Sequence, residues 1–517
     1  MKRRTTSRRV LVLAAAAALG GALTLAACGG GGGGSDWGWA WQVPGNGAGA
    51  GDGGGQEPPP SAPPLVQSQF ELHMEASRLN TGGDPLMAHP WRAFYCNLSD
   101  DNNAIVLAER QKNSIRVPLT QLFDDVWYIG TEYVGQYILR DQNGFVMVDG
   151  GNSAQEMRDY NLPALTELGW GAGAPLHGVL ITHGHRDHDG GALELKNATG
   201  AAIYLGSADA AGKDYAPLTL DSMIQEPYDI IVGGRTITVL ATPGHTAGAT
   251  GFVVRAKDGG KDVKLFVSGG SSLSTENIPL IQGYLRSMER TYELVKSLKI
   301  DTASNPHIYW DGSRELIYRI PQEGLKSPSQ FIIGNDKLLR AMAIGRECTA
   351  AWLARKDPSA QVPVWRVSST HFLAGSPSPN RITARVNNGW GPVAGQAVTF
   401  ATERGEALCS GVTDKAGVAS CPVPTPSLAA GTDRLIATFP GASSAEVVEL
   451  ASESSALFED TAALVCRDLG EARKAAGTRQ GEAGYDARFD MDGDGTITRE
   501  DLQQIADLAP AGTRCDA

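Results

Sequence analysis

Short apolar runs separated by polar turns fill residues 65–358. Residues 126–129, 136–139 and 144–148 have strand length and strand composition. Residues 154–168 place Met157, Leu162, Leu165 and Leu168 at helical spacing, with Pro163 as an interruption. The run Gly178-Val179-Leu180-Ile181-Thr182 predicts a strand over 179–181, and two more are predicted over 236–241 and 264–267. Helical spacing returns over 284–298 and 335–355. This alternation predicts an α/β layout with mixed strands and one large core. From 362 to 450 the pattern changes to β-type runs at 381–386, 396–400, 434–439 and 446–450, broken by Gly, Pro and Asn. Such spacing predicts a β-sandwich of about 90 residues. Residues 457–517 read as a small helical unit around one acidic loop.

A chain of 517 residues exceeds one ordinary core, in keeping with three units. Lys and Arg total 45 and Asp and Glu 57, a net charge of −12. With no basic cluster beyond the first residues, this balance excludes nucleic acid as a partner. Those first residues, Lys2, Arg3, Arg4, Arg8 and Arg9, precede an apolar stretch over 11–27. The stretch is short for a membrane span and predicts a targeting signal over 1–28. It ends in Leu25-Ala26-Ala27-Cys28-Gly29, which resembles a bacterial lipobox. That resemblance implies lipidation at Cys28 and an exported protein anchored to the bacterial membrane, facing periplasm or cell surface. Residues 29–64 are rich in Gly, Pro and Ser and predict a flexible tether. Export permits disulfides. Seven cysteines less Cys28 leave six. Sequence proximity pairs Cys409 with Cys421, position within one terminal unit pairs Cys466 with Cys515, and elimination pairs Cys96 with Cys348.

The candidate chemistry sits directly after the 179–181 strand. His183-Gly184-His185-Arg186-Asp187-His188 holds four metal-capable side chains in six residues. Zinc prefers imidazole and carboxylate, and catalytic zinc keeps a position open for water. Two further histidines follow strand-like runs: His245 in Thr242-Pro243-Gly244-His245-Thr246, and His307 in Ser304-Asn305-Pro306-His307. His73, His89, His177 and His371 lack such a setting and read as surface or core histidines.

Together with Val126-Trp127-Tyr128-Ile129-Gly130 and Val146-Met147-Val148-Asp149-Gly150-Gly151, these motifs resemble the metallo-β-lactamase superfamily over residues 122–351. The resemblance implies an αββα sandwich over residues 65–358. Glyoxalase-like members carry an Asp in a Gly-Asp pair that bridges two metals. The corresponding stretch here, Phe266-Val267-Ser268-Gly269-Gly270-Ser271-Ser272-Leu273, has no carboxylate. In that respect it is similar to the third subclass of class B β-lactamases. Carried over by motif, one zinc takes His183, His185 and His245, and a second takes Asp187, His188 and His307. The implied activity is β-lactam hydrolysis by a metal-activated hydroxide, with Asp187 as the catalytic group that orients it. Ser271 and Ser272 are candidates for binding a substrate carboxylate. Another amide, lactone or thioester hydrolase on the same fold is the alternative, and a surface adhesion or scaffold protein is a second.

In the terminal unit, Asp490-Met491-Asp492-Gly493-Asp494-Gly495-Thr496-Ile497-Thr498-Arg499-Glu500-Asp501 resembles an EF-hand or dockerin-type calcium loop. Asp490, Asp492, Asp494 and Asp501 offer hard oxygens, Thr496 a backbone carbonyl, and Gly495 the sharp turn. Residues 387–395 resemble an early loop of bacterial immunoglobulin-like domains. The expected protein is therefore multidomain: the αββα hydrolase over 65–358, the Ig-like β-sandwich over 362–450, and the α-helical EF-hand-like unit over 457–517. Expected cofactors are two Zn2+ and a terminal Ca2+. Expected partners are a small-molecule substrate, a membrane through the lipid anchor, and a protein or cell-wall partner for the last two modules.

Overall fold

The computed structural model describes residues 68–517 apart from 82–86, 98–103, 172, 274–276, 373–380, 388–391, 423–433, 441–446, 450–452, 458–460, 480–481, 483, 486–488, 492–493, 508–511 and 516–517. The signal, Cys28, the tether and Asp492 lie outside the described residues.

Residues 116–304 build two facing sheets. The first runs β1 (Arg116–Phe123), β2 (Val126–Thr131), β3 (Gly135–Asp141), β4 (Gly144–Val148), β5 (Leu176–Leu180), β6 (Ala202–Gly206), β7 (Leu218–Leu220), antiparallel up to β4 and parallel after it. The second comprises β8 (Tyr228–Val232), β9 (Arg235–Ala241), β10 (Thr250–Asp258), β11 (Lys261–Val267) and β12 (Thr302–Ser304), in the order β12-β11-β10-β9-β8.

Strand periodicity assigns the layers. Val146, Val148 and Leu180 face Phe252, Val254, Leu265 and Val267 between the sheets. Their neighbours Phe145, Met147, Val179 and Ile181 point the other way, onto Met157, Leu165, Ala192 and Leu195. Val253 and Phe266 face helices Ile278–Leu298 and Asn335–Lys356 on the outer side of the second sheet. The order is helix, sheet, sheet, helix. The central strands β3, β4, β5 and the first half of β10 are covered on both faces and read as continuous apolar runs, whereas edge strands β7 and β8 are partly exposed.

The stretch expected as one helix over 154–168 is three short pieces. Helix Ala154–Glu156 leads into a wider turn, Met157–Asn161, and then helix Leu162–Glu167. Pro163 has no N–H to give the preceding turn, so the turn widens there.

The region after 362 contains a parallel pair, β13 (Val364–Arg366) with β20 (Val447–Glu449), and a three-stranded sheet, β14 (Ser369–Phe372), β15 (Arg381–Asn387) and β18 (Val418–Pro422). A four-stranded sheet joins β16 (Ala397–Thr402), β17 (Ala407–Val412), β19 (Arg434–Thr438) and β21 (Glu453–Leu457). Val386, Val398, Phe400, Ala419 and Leu435 share one core. β21 lies past the expected end at 450. The Cys409–Cys421 bridge joins β17 to β18 and so ties the two sheets together, rather than clipping one hairpin. Cys96–Cys348 and Cys466–Cys515 are also formed.

The terminal unit packs helices Thr461–Ala475 and Arg499–Ala506 around Val465, Leu469, Phe489, Ile497 and Ile505. Asp501 accepts hydrogen bonds from the Met491 and Thr498 backbone N–H groups and the Thr498 hydroxyl at 2.6, 2.7 and 2.9 Å. It therefore serves as the capping-box residue of its helix. Asp490 accepts from the Gly495 backbone at 3.0 Å and from the Tyr485 hydroxyl at 2.5 Å. Among the described residues, no three acidic side chains of this unit converge on one point. No described helix is long and apolar enough to cross a membrane.

Helix Asn335–Lys356 is the frame of the two-sheet region. Its Glu347 is fully buried and accepts from His73 Nδ1 at 2.7 Å, Arg346 Nη1 at 2.5 Å and the Trp365 backbone N–H at 3.0 Å. Asn80 bonds the Trp365 carbonyl and the Val367 N–H, both at 2.9 Å. The N-terminal helix Gln69–Leu79 and the segment leading to the sandwich are therefore held by the same carboxylate. Val367 is buried in this core, with Val362 and Trp365 against it. Packing of this core thus extends past the expected boundary at 358.

Two predictions follow from buried charge. Glu347→Ala leaves the buried His73 Nδ1 and the Trp365 N–H without their acceptor and takes from Arg346 one of its two carboxylate partners, the other being Glu289 at 3.1 Å, and should destabilise the protein by about 3–5 kcal/mol in urea unfolding. A change under 1 kcal/mol would remove this frame from the account. The second concerns Asp311, where burial pushes the carboxyl up to about 7 although it accepts from the Ser313 N–H at 2.9 Å. Its unfolded value is lower, so its contribution is full below about pH 4 and is lost as pH rises through 7. Relative to Asp311→Asn, wild-type stability should fall by up to about 1.4 kcal/mol per pH unit between pH 5 and 7. A pH-independent difference between the two proteins would contradict this.

Candidate metal centre

β5 ends at Leu180, and Ile181 and Thr182 carry the chain over the sheet edge to His183. His185 then starts the short helix Arg186–Asp189, whose first turn presents Asp187 and His188. His245 lies in the turn after β9, and His307 follows β12. Ends of strands from both sheets thus converge at one edge.

The six side chains form two sets. Ligand-capable atoms of His183, His185 and His245 lie within 4.8 Å of one another, as do those of Asp187, His188 and His307. In the first set, His185 Nδ1 is 3.2 Å from His183 Nε2 and 3.1 Å from His245 Nε2. In the second, His188 Nε2 and His307 Nε2 are 3.1 Å apart, and Asp187 Oδ2 lies 3.7 and 3.6 Å from them. The His183 and His188 rings, 4.0 Å apart by centroid, join the sets.

These distances fit a tetrahedral cation. With metal–nitrogen bonds of about 2.0–2.1 Å, ligand nitrogens stand about 3.4 Å apart. The outward ring nitrogens decide which lone pairs face inward. His307 Nδ1 lies 3.0 Å from the Tyr133 carbonyl and His245 Nδ1 lies 2.8 Å from the Ser272 carbonyl. Both need a proton on Nδ1, which leaves Nε2 bare and facing its set. His188 Nδ1 is 2.6 Å from the buried Asp149 carboxylate, with the same result. Thr182 donates its hydroxyl to Asp149 at 3.0 Å and so can accept from His183 Nδ1 at 3.2 Å. Bare nitrogens facing one another this closely repel unless a cation lies between them.

Electrostatics agree with that reading. Burial, then the surrounding imidazoles, holds His183 well below its usual value. Burial and His188 hold His307 down at about 3. Both stay neutral, the form that binds metal. Burial opposes ionisation of Asp187, but His188 and His307 outweigh it and hold the carboxyl at about 2. Burial also works against a charged His188, yet Asp187 and Asp149 together raise it.

Ser271 and Ser272 are nearly buried. Ser272 holds His245 through its carbonyl, with its hydroxyl 3.2 Å from the same nitrogen. The Ser271 carbonyl accepts from Tyr284 at 2.7 Å. Their observed contacts are with the protein's own groups. His73 is a core histidine on Glu347, and His177 bonds the Asn143 carbonyl at 2.8 Å. The side chains of His89 and His371 lie outside the described residues.

Asp149 carries the most weight among residues that spacing did not single out. It ends β4 with a φ of 67°, a left-handed conformation that Asp tolerates better than most residues. Its one signal was its place in the Val-Asp-Gly-Gly run. Asn305 had none: its side chain accepts from the His307 N–H at 2.8 Å and donates to Ser268 Oγ at 2.6 Å.

Comparison with known proteins bears on the same segment. The pattern of the Metallo-beta-lactamase superfamily matches residues 130–260, which hold five of the six side chains and leave out His307. The hydroxyacylglutathione hydrolase of Acidiphilium cryptum (strain JF-5) is 36% identical over 111 residues, 22% of this chain and 44% of the relative. The protein of the same name from Methylococcus capsulatus is 29% identical over 170 residues, 32% of this chain and 61% of the relative. The chain therefore spans about half the length of these curated relatives. Among solved structures, a subclass B3 metallo-beta-lactamase of Bradyrhizobium japonicum aligns at 22% identity and a TM-score of 0.38, covering 49% of this chain and 99% of that one. The metallo-beta-lactamase from Novosphingobium pentaromativorans gives 18%, 0.38, 52% and 98%. The middle region of this chain, with its two facing sheets and its histidines at one edge, has the metallo-beta-lactamase superfamily fold.

Proposed function

We propose that this chain is a zinc-dependent hydrolase that opens the amide of a β-lactam ring. The observation that carries the reading is the pair of abutting three-ligand sets, completed by His307 in the absence of any carboxylate over 268–272. Zinc at these sets would supply an acidified water and a Lewis acid for the carbonyl oxygen.

The chain's own groups do the rest. Asp187 is partly exposed and ionised at any working pH, so it can only accept hydrogen bonds. Placed in the second set, beside His188 and His307, it would hold the attacking water with a lone pair toward the substrate carbonyl. Asp149 and the Tyr133 carbonyl keep His188 and His307 in the required tautomers. Attack by water requires no serine or cysteine nucleophile.

A second reading is thioester hydrolysis. Its support is the name hydroxyacylglutathione hydrolase on the sequence relatives. The missing carboxylate at 268–272 favours the β-lactam reading over it. The lipobox-like Leu25–Cys28 run supports export and lipid anchoring, and the Asp490, Asp492, Asp494 and Asp501 spacing supports calcium in the terminal loop. Neither bears on the choice of substrate.

Purified protein should hold two zinc ions per chain by metal analysis. It should hydrolyse penicillins, cephalosporins or carbapenems faster than lactones or thioesters, and lose that activity to a chelator. Asp149→Asn should cut kcat/KM by about 10–100-fold, as loss of an outer partner to a metal-binding histidine does. His185→Ala should cost more than that. Full turnover in His185→Ala would sink the mechanism, and thioester turnover with no β-lactam turnover would select the second reading.

A further inference from the structure

Asp209 ends the short turn Ser207–Asp209 after β6 and belongs to neither ligand set. Its carboxylate nevertheless reaches both loops that carry the first set. Oδ2 accepts from the Gly184 N–H at 2.8 Å, between His183 and His185. The same oxygen accepts from the Thr246 hydroxyl at 2.7 Å, next to His245. Oδ1 accepts from the Gly248 N–H at 2.9 Å. One side chain therefore receives three donors from two loops of distant sequence.

The surroundings leave little room for another arrangement. A Cβ at Gly248 would come within 2.6 Å of Asp209 and one at Gly184 within 3.0 Å. A Cβ at Gly206 would meet the Gly248 carbonyl at 2.0 Å, so the chain after β6 lies directly on the His245 loop. On the far side, Lys213 donates to the Gly184 carbonyl at 2.6 Å and pairs with Asp189 at 2.6 Å. The peptide between His183 and His185 is thus fixed at its N–H end by Asp209 and at its carbonyl end by Lys213. The second set has no such contact: His188 and His307 are set by Asp149, Tyr133 and Asn305.

We infer that Asp209 is a positioning residue for the first metal set alone, holding the His183–His185 loop against the His245 loop so that three imidazoles share one point. This rests on the reading of His183, His185 and His245 as metal ligands. A carboxylate is suited to the task because all three contacts are donors and an ionised carboxylate is acceptor-only. An amide of the same size would turn an N–H toward one of those donors.

The test separates the two sets. Asp209→Asn is made in a His307→Ala background, where zinc affinity reports on the first set. It is made again in a His185→Ala background, where affinity reports on the second. Affinity is read by chelator competition. Asp209→Asn should weaken zinc about 10–100-fold in the first background and leave the second unchanged. Thr246→Val, which removes one of the three donors, should act in the same direction with a smaller effect. Far-UV circular dichroism and the thermal midpoint show whether each variant folds, and Thr246→Val serves should Asp209→Asn fail to. Equal loss in both backgrounds, or no loss in the first, would overturn the role of Asp209. A parent protein that holds no zinc would overturn the metal reading itself, so the two failures are distinct.

Discussion

A single buried carboxylate sets the terms for the site. Asp149 is fully buried where β4 ends, and it bonds the backbone and hydroxyl of Thr182 beyond the end of the next strand. Those two bonds lock the edge from which His183 leaves. The third contact, at 2.6 Å to His188 Nδ1, reaches past the whole histidine loop and folds it back on its own strand. An ionised carboxylate so placed is costly unless its acceptors are satisfied. Here they are satisfied by the groups whose orientation the site needs, so desolvation and ligand geometry are one constraint.

The same economy operates at the opposite layer. Glu347 collects Arg346, His73 and the Trp365 N–H inside helix packing, and Arg346 also stacks its guanidinium 4.5 Å from the Trp365 ring. The cluster fastens the N-terminal helix and the segment at 363–367 to one helix. The Cys96–Cys348 bridge, closing 252 residues, leaves the same helix one position away. The aromatic side chains Phe94, Trp91 and Tyr95 then pack on Trp310. Trp310 is three residues from His307, so this N-terminal segment supports the loop that completes the second set.

The histidine loop was legible because its chemistry is local: four ligand types in six residues leave few alternatives. His245 and His307 were legible from strand-then-loop settings, and the two-sheet core from the apolar runs of β4, β5 and β9. β1, β6, β7, β8 and β10 do not stand out in the pattern. In β10 the exposed Arg255 and Lys257 break the apolar run, while Ala256 between them stays in the core. Asp209 and Asn305 could not be read from spacing at all. Asp209 acts on groups 25 to 39 residues away, and Asn305 joins the His307 N–H to Ser268, 37 residues back; a single acidic or amide residue in a turn carries no pattern. The Cys409–Cys421 pairing was legible while its geometry was not, because twelve residues suffice to cross between sheets as well as to close a hairpin.

The stretch without a carboxylate then acquires a physical reading. Where β11 ends, Ser268 is taken up by Asn305, whose own carbonyl oxygen accepts from the His307 N–H. A neutral Ser–Asn pair thus stands in the stretch that lacks a carboxylate, bonded directly to the backbone of His307. The second set then depends on His307 for its third ligand atom, and His307 depends on Tyr133 for its tautomer and on Asn305 for its backbone. Removing one negative charge also leaves the paired sets more electropositive. The β-lactam reading proposed above draws on that charge, because such a substrate would bring its own carboxylate. The Ser272 hydroxyl stands 3.2 Å from His245 Nδ1, at the wall of the first set. Arg186, exposed in the histidine loop itself, is the cation nearest in sequence to both sets.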